Sequence, residues 1–478
     1  MSFRLRPLVA VMALAATAGA ASAQSSGDPF ATSGTGNDPL LLAPPSGADD
    51  GTAGTSTTAT TQADDGDTTG RVQRVRPVAP GPEPDPLDET ATGSIARRGS
   101  IDPEADPFAP VGIRAGSFIL LPSITTTVEH QTNGSGNGKS TDLTVTPELR
   151  LQSDWARHEA TLTLRGAYDQ PLDDQGKGSP SGSIIGTARI DIKPDWDIAF
   201  EGTYDYSQQE ISDPDYPSGA TGRPSVHDLN GSTTLSGRFG RKVFELEGNV
   251  AHTEYENGQG TSGTIDQGFR DNSVFGARLR VGYETPLGVT PFVEGEGARR
   301  IYDRVLDDNG IRRSSYTAIA RAGIELDRGP VLTGEMAVGY GVNRLDDSGF
   351  DTIGALTLDG SLVWSPVRLV TITTNASTTF DPTTDAASAG SVTHNASVDF
   401  AYQWKQNLTL NWTGGLTRQA YQGTGQIDTT ITAGFGATWK LSRWAWLTGG
   451  YVHEWADSTD AANRYQSDSL KVELRVQK

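Results

Sequence analysis

The chain has 478 residues, a formal net charge of -20, a mean hydropathy of -0.42 and no cysteine. The missing cysteine excludes a disulfide framework or a thiolate metal site. The acidity argues against binding nucleic-acid phosphates, and no apolar run of about 20 residues lets a helix cross a bilayer.

In chain order, Arg4 and Arg6, the apolar stretch from Leu8 to Ala16, and Ala21-Ser22-Ala23 read as an export signal over 1–23. The mature chain then starts at Gln24; a retained anchor is the alternative, disfavoured by the short apolar stretch and the small-residue cleavage site. No cysteine follows to take a lipid. Residues 24–112 are rich in Gly, Ser, Thr, Ala, Asp and Pro. Such a segment buries too little apolar surface to offset its ordering entropy, so it is expected to be a disordered periplasmic tail. Asp28-Pro29-Phe30, Asp38-Pro39-Leu40, Asp85-Pro86-Leu87 and Asp106-Pro107-Phe108 punctuate it, as docking motifs or as ordinary linker.

From Phe118 to Val476, segments of roughly ten residues alternate apolar with small or polar positions and end in turns. In one such segment Val392, Ala396, Val398, Phe400, Tyr402 and Trp404 share a face against Thr393, Asn395, Ser397, Asp399 and Gln403. A soluble sandwich alternates too. Two features favour a barrel. Short links, such as Gly240-Arg241-Lys242-Val243 (with Arg241-Lys242 as the turn), Asp327-Arg328-Gly329-Pro330 and Ser365-Pro366-Val367-Arg368, alternate with long polar ones at 132–140, 209–225, 256–268, 304–313 and 381–390. Aromatics gather beside the short links: Trp155, Trp196, Phe239, Phe244, Trp364, Trp404, Trp439 and Trp444, as an interfacial girdle would. The prediction over 113–478 is an all-β, transmembrane, antiparallel up-and-down β-barrel. It has about 18 strands, with 16 as the alternative, running from 117–131 to 465–477.

The inward face carries both signs of charge. Assumed turn centres place Arg238 opposite Glu245, Glu148 opposite Arg165, Arg280 opposite Glu294, Arg278 opposite Glu296 and Arg321 opposite Glu335. Arg150, Arg189, Glu247 and Arg300 fall on the same face. Cross-strand pairs of opposite charge contribute about 0.2–1 kcal/mol each. They set a transverse field for polar solutes, or they hold register and neutralise the wall. No ring of one sign builds a single-ion filter, and the net acidity leans toward cations. Tyr302 and Tyr421 are the aromatics expected inside. Six histidines exist, and His227-Asp228-Leu229-Asn230-Gly231-Ser232 resembles the active strand of an outer-membrane phospholipase. Leu229 stands where that motif needs a hydroxyl, so no enzyme is expected. No cofactor or metal site is expected either.

Asp106 to Ser123 (DPFAPVGIRAGSFILLPS) is similar to the opening segment of the β-barrel porin type 2 family of alphaproteobacterial outer membranes. Leu149 to His158 (LRLQSDWARH) resembles that family's second strand and turn. The resemblance spans about 106 to the C-terminus and implies an outer-membrane barrel; it implies no catalytic residues. Some related barrels lie beside exopolysaccharide export systems. The last strand lacks the terminal aromatic common in such barrels.

The resulting expectation is an outer-membrane porin that passes small hydrophilic solutes, with its tail in the periplasm. The alternatives are an exopolysaccharide conduit and a structural or adhesive barrel. Expected partners are outer-membrane lipid and lipopolysaccharide, the barrel assembly machinery, and a periplasmic or polysaccharide-export partner reached through the tail. No nucleic-acid partner is expected, and the sequence leaves the oligomeric state open.

Overall fold

The computed structural model describes residues 107–132, 139–173, 178–209, 220, 222–260, 263–383 and 385–478. The export signal, nearly all of the tail, and Glu210, Asp213 and Asp215, the acids of link 209–225 that an adhesive barrel would present, lie outside those residues.

Eighteen strands close one antiparallel barrel. In chain order they are β1 Phe118–Thr132, β2 Lys139–Ser153, β3 Glu159–Pro171, β4 Ser179–Lys193, β5 Trp196–Gln208, β6 Ser225–Phe239, β7 Lys242–Tyr255, β8 Asn272–Tyr283 and β9 Val289–Tyr302. They continue as β10 Ser315–Asp327, β11 Leu332–Leu345, β12 Ile353–Val367, β13 Val370–Asp381, β14 Gly390–Lys405, β15 Leu408–Gln422, β16 Ile427–Ser442, β17 Ala445–Ser458 and β18 Tyr465–Gln477. Each strand pairs with the next, and β18 returns to β1 from Ser123↔Gln477 to Thr132↔Asp468. Closure pairs the last strand with the first, as a bilayer demands because lipid cannot satisfy unpaired backbone groups.

The alternation decides which way each side chain points. Leu279 is 52% exposed, while its neighbours Arg278 and Arg280 are 3% and 8% exposed. Leu356 is 70% exposed and Thr357 1%. The apolar set faces outward and the polar set inward, the inverse of a water-soluble core. One end carries two-residue links at 194–195, 240–241, 368–369, 406–407 and 443–444; the other carries 209–224, 256–271 and 303–314. With an even strand count, the first strand begins and the last strand ends at the short-link end.

The wall is not uniform. The β12–β13 ladder runs from Val367↔Val370 to Gly360↔Ala376 and stops. Beyond it, β12 pairs only with β11, and β13 only with β14. The end of β13 tucks inside β12, so Phe380 and Val392 pack with Leu345, Ile353 and Ala389. The Leu358 N–H donates to the Thr378 hydroxyl at 3.0 Å in place of a strand partner.

Candidate functional site: the charged barrel interior

The densest set of chemistry lies on the inner faces of β7 to β12. Register places Glu247 beside Arg278, Glu245 beside Arg280, Arg280 beside Glu294, and Glu294 beside Arg321. Arg278 contacts Glu247 directly, Glu245 at 3.0 Å and Glu294 at 3.6 Å. Arg280 reaches Glu294 at 2.8 Å and Glu335 at 2.6 Å, with its guanidinium 4.1 Å from the Phe292 ring centre. Arg321, whose side chain is wholly buried, contacts Glu294 and Glu296 at 3.1 Å each and Asp359 at 3.9 Å. Three arginines therefore serve six carboxylates. Arginine suits this place because its planar fork satisfies several carboxylates at once.

A second, smaller cluster has the opposite balance. Glu148 on β2 accepts from Arg165 on β3 at 2.8 Å and lies 3.6 Å from Arg475 on β18. Arg150 is its third basic neighbour. In strand order this cluster sits almost halfway round the barrel from β9 and β10. Both clusters lie nearer the short links than the long ones.

Two anticipated pairings are corrected. Arg238 lies opposite Val243, not Glu245, and binds Glu284 at 2.8 Å. The cause is Gly240, whose φ of 59° lets it form the turn with Arg241 one residue earlier than assumed. Arg321 lies opposite Gly339 and Glu294, while Glu335 lies opposite Glu325. The one-turn 3-10 helix Gly329–Val331 displaces the pairing so that Asp327 meets Thr333. Glu148↔Arg165, Arg280↔Glu294 and Arg278↔Glu296 are in the anticipated register, although Arg278 spends its guanidinium on Glu245, Glu247 and Glu294. Arg189 stands apart near the short-link end, 3.3 Å from Asp191.

Near the long-link end Arg300 donates to Asn272 at 2.8 Å. Beside it lies Arg313, a residue that strand reasoning missed. Its Nε donates to Asp307 at 2.9 Å, and its two Nη groups to the carbonyls of Ser388 and Asp385 at 2.7 Å. Arg313 thus straps link 303–314 to link 382–389 across the inturned end of β13. The strap ties the two links together at the long-link end.

The aromatic residues sit on the outward side at the short-link end. Trp155, Phe239, Trp364, Trp404, Trp439 and Trp444 are all exposed. Trp196 and Phe244 flank Phe239 with ring centres at 5.1 and 5.9 Å. His227 and Ser232 have opposite parity on β6, so the hydrolase-like motif never assembles on one face. His227 instead meets Tyr204 at 2.8 Å and Glu256 at 3.5 Å.

The family model described as "Putative beta-barrel porin 2" matches residues 106–478. The chain belongs to this porin family. Membership points to the outer membrane, and the family consists typically of non-enzymatic channels. None of the curated proteins compared matches the chain. Among solved structures it is similar to OpdK of Pseudomonas aeruginosa, with 10% identity, TM-score 0.40, and coverage of 75% of this chain and 99% of that one. OccK2 (OpdF) of P. aeruginosa gives 10% identity, TM-score 0.40, and coverage of 75% and 98%. The FrpB iron transporter of Neisseria meningitidis gives 8% identity, TM-score 0.42, and coverage of 72% of this chain; the match spans 63% of the transporter's length.

Proposed function

We propose that this porin-family barrel is a passive outer-membrane channel for small hydrophilic solutes, with a mild preference for cations. The carrying observation is the pair of unequal charge clusters: carboxylate excess on β7 to β12, and arginine excess around Glu148. A polar molecule passing between them meets a field across its path, which orients dipoles and favours cations at the acidic side. A polysaccharide conduit is less well supported, because the aromatic surface that stacks on sugars faces mainly outward.

The test is single-channel recording in planar bilayers with the purified mature chain. A channel gives discrete conductance steps and a reversal potential on the cation side in a salt gradient. Persistent silence from protein with verified heat-modifiable folding would overturn the reading.

A further inference from the structure

We propose that the outward row Arg299–Tyr316–Arg344 is a binding site for a phosphate group on an outer-leaflet lipid. The three residues lie side by side on β9, β10 and β11. Arg299 is opposite Phe275, which is 48% exposed on the outer face, and Tyr316 is 51% exposed. All three lie close to the long-link ends of their strands, at headgroup level.

Three observations point to an anion. First, Arg299 is fixed, both its Nη groups donating to Asp346 at 2.8 and 2.5 Å. Secondly, Arg344 is exposed and has no ionic or hydrogen-bonding partner among the described residues. An arginine on the lipid side is tolerated only where its head reaches the interface, and it is favourable there if a counter-charge waits. Thirdly, the two arginines are separated by one strand, about 10 Å between backbones at the usual strand spacing. A phosphate seated over Tyr316 is within reach of both side chains: Arg344 presents its fork in a bidentate way, while Arg299, whose Nη groups Asp346 already holds, adds its charge from the side. The opposite end of the wall is built differently. Its outward cations include Lys193 and Lys405, laid on Trp196 and Trp404 at 5.0 and 5.7 Å from the ring centres. The inference is independent of whether the barrel conducts.

The test is native mass spectrometry of the full mature chain in detergent. The probes are a bisphosphorylated hexa-acyl glucosamine disaccharide lipid and the same lipid without phosphates. The parent is expected to retain the phosphorylated form at least tenfold better. R344Q is expected to lose about tenfold toward that form only, and R299Q/R344Q to remove the discrimination. R241Q, at the short-link end, is expected to change nothing. Equal retention of both lipids by the parent, or an unchanged R344Q, would overturn the site. An equal loss in R241Q would show a general charge effect and overturn it too. Displacement of the lipid by millimolar inorganic phosphate would show a free-anion site and overturn the lipid assignment. Should the double variant not fold, R344Q alone decides.

Discussion

Replacing Arg321 with methionine removes the cation that Glu296 depends on, because Arg321 is the residue that salt-bridges it at 3.1 Å. Glu294 keeps Arg280 at 2.8 Å, and Asp359 loses a more distant partner at 3.9 Å. The Arg321 and Glu294 side chains are 0% and 1% exposed, so water does little to compensate. Breaking a buried pair by deleting one partner costs about 3–5 kcal/mol, mostly as the penalty of a stranded charge. Neutralising the stranded group as well, in R321M/E296Q, is expected to recover more than half of that, leaving a loss of about 1–2 kcal/mol. Urea unfolding of the barrel in detergent, followed by tryptophan fluorescence, measures both. The same variants separate stability from conduction. R321M makes the β7 to β12 wall more negative by one charge and shifts the reversal potential toward cations, whereas R321M/E296Q restores it. A loss below about 1 kcal/mol in R321M, or a double variant no better than the single, would refute the claim that this cluster is a dry, mutually dependent set.

Arg313→Ala releases both carbonyls and Asp307 from the strap between links 303–314 and 382–389. Larger or longer open steps in bilayers are expected, and an unchanged step size would show that the strap does not limit the mouth. Gly237→Ala places a methyl group 2.6 Å from the Trp196 ring. The ring must leave its edge contact with Phe239, with an expected cost of about 1–3 kcal/mol and a red shift of Trp196 emission. In the outer loops, the hydrogen bond from Arg304 is the main cause holding the Asp266 carboxyl below its ordinary range. A carboxyl lowered in the folded state stabilises that state above its unfolded value, and the contribution fades as pH falls through the folded one. Loop 256–271 is therefore expected to gain protease sensitivity only under acid conditions. R304Q should show that sensitivity already at neutral pH.

The fold was legible because a bilayer reduces the problem to one period. Val398 is 44% exposed, Thr393 fully buried, and the two-residue rhythm assigned both without knowledge of neighbours. The ion pairs were legible only where the centre of the turn was assigned correctly. A centre at Leu287 gives Arg280↔Glu294, whereas the turn at Gly240-Arg241 falls one residue earlier than assumed and the 3-10 turn Gly329–Val331 moves Arg321 away from Glu335. Arg475 was missed because its partner Glu148 is 327 positions away, across the closure, where no local pattern reports contact. Arg313 lies in a link, outside the alternation altogether. The inturned end of β13 was equally hidden. Val392 keeps the parity of a lipid-facing residue, yet it is 4% exposed because Ile353 and Leu345 cover it.

Whether the interior charges serve register or function turns on their balance. Register alone is a strong reason to have them. A one-residue slip would turn every inward arginine and glutamate toward lipid, at about 2–4 kcal/mol for each arginine near the midplane. A set selected only to lock register would need each charge matched once. The β8 to β10 arginines instead share six carboxylates, while Glu148 is outnumbered by Arg150, Arg165 and Arg475. Each imbalance raises the local cost of burial, and neither improves the register lock. Their placement almost opposite each other in strand order makes the two excesses complementary across the interior, which is the arrangement a transverse field requires.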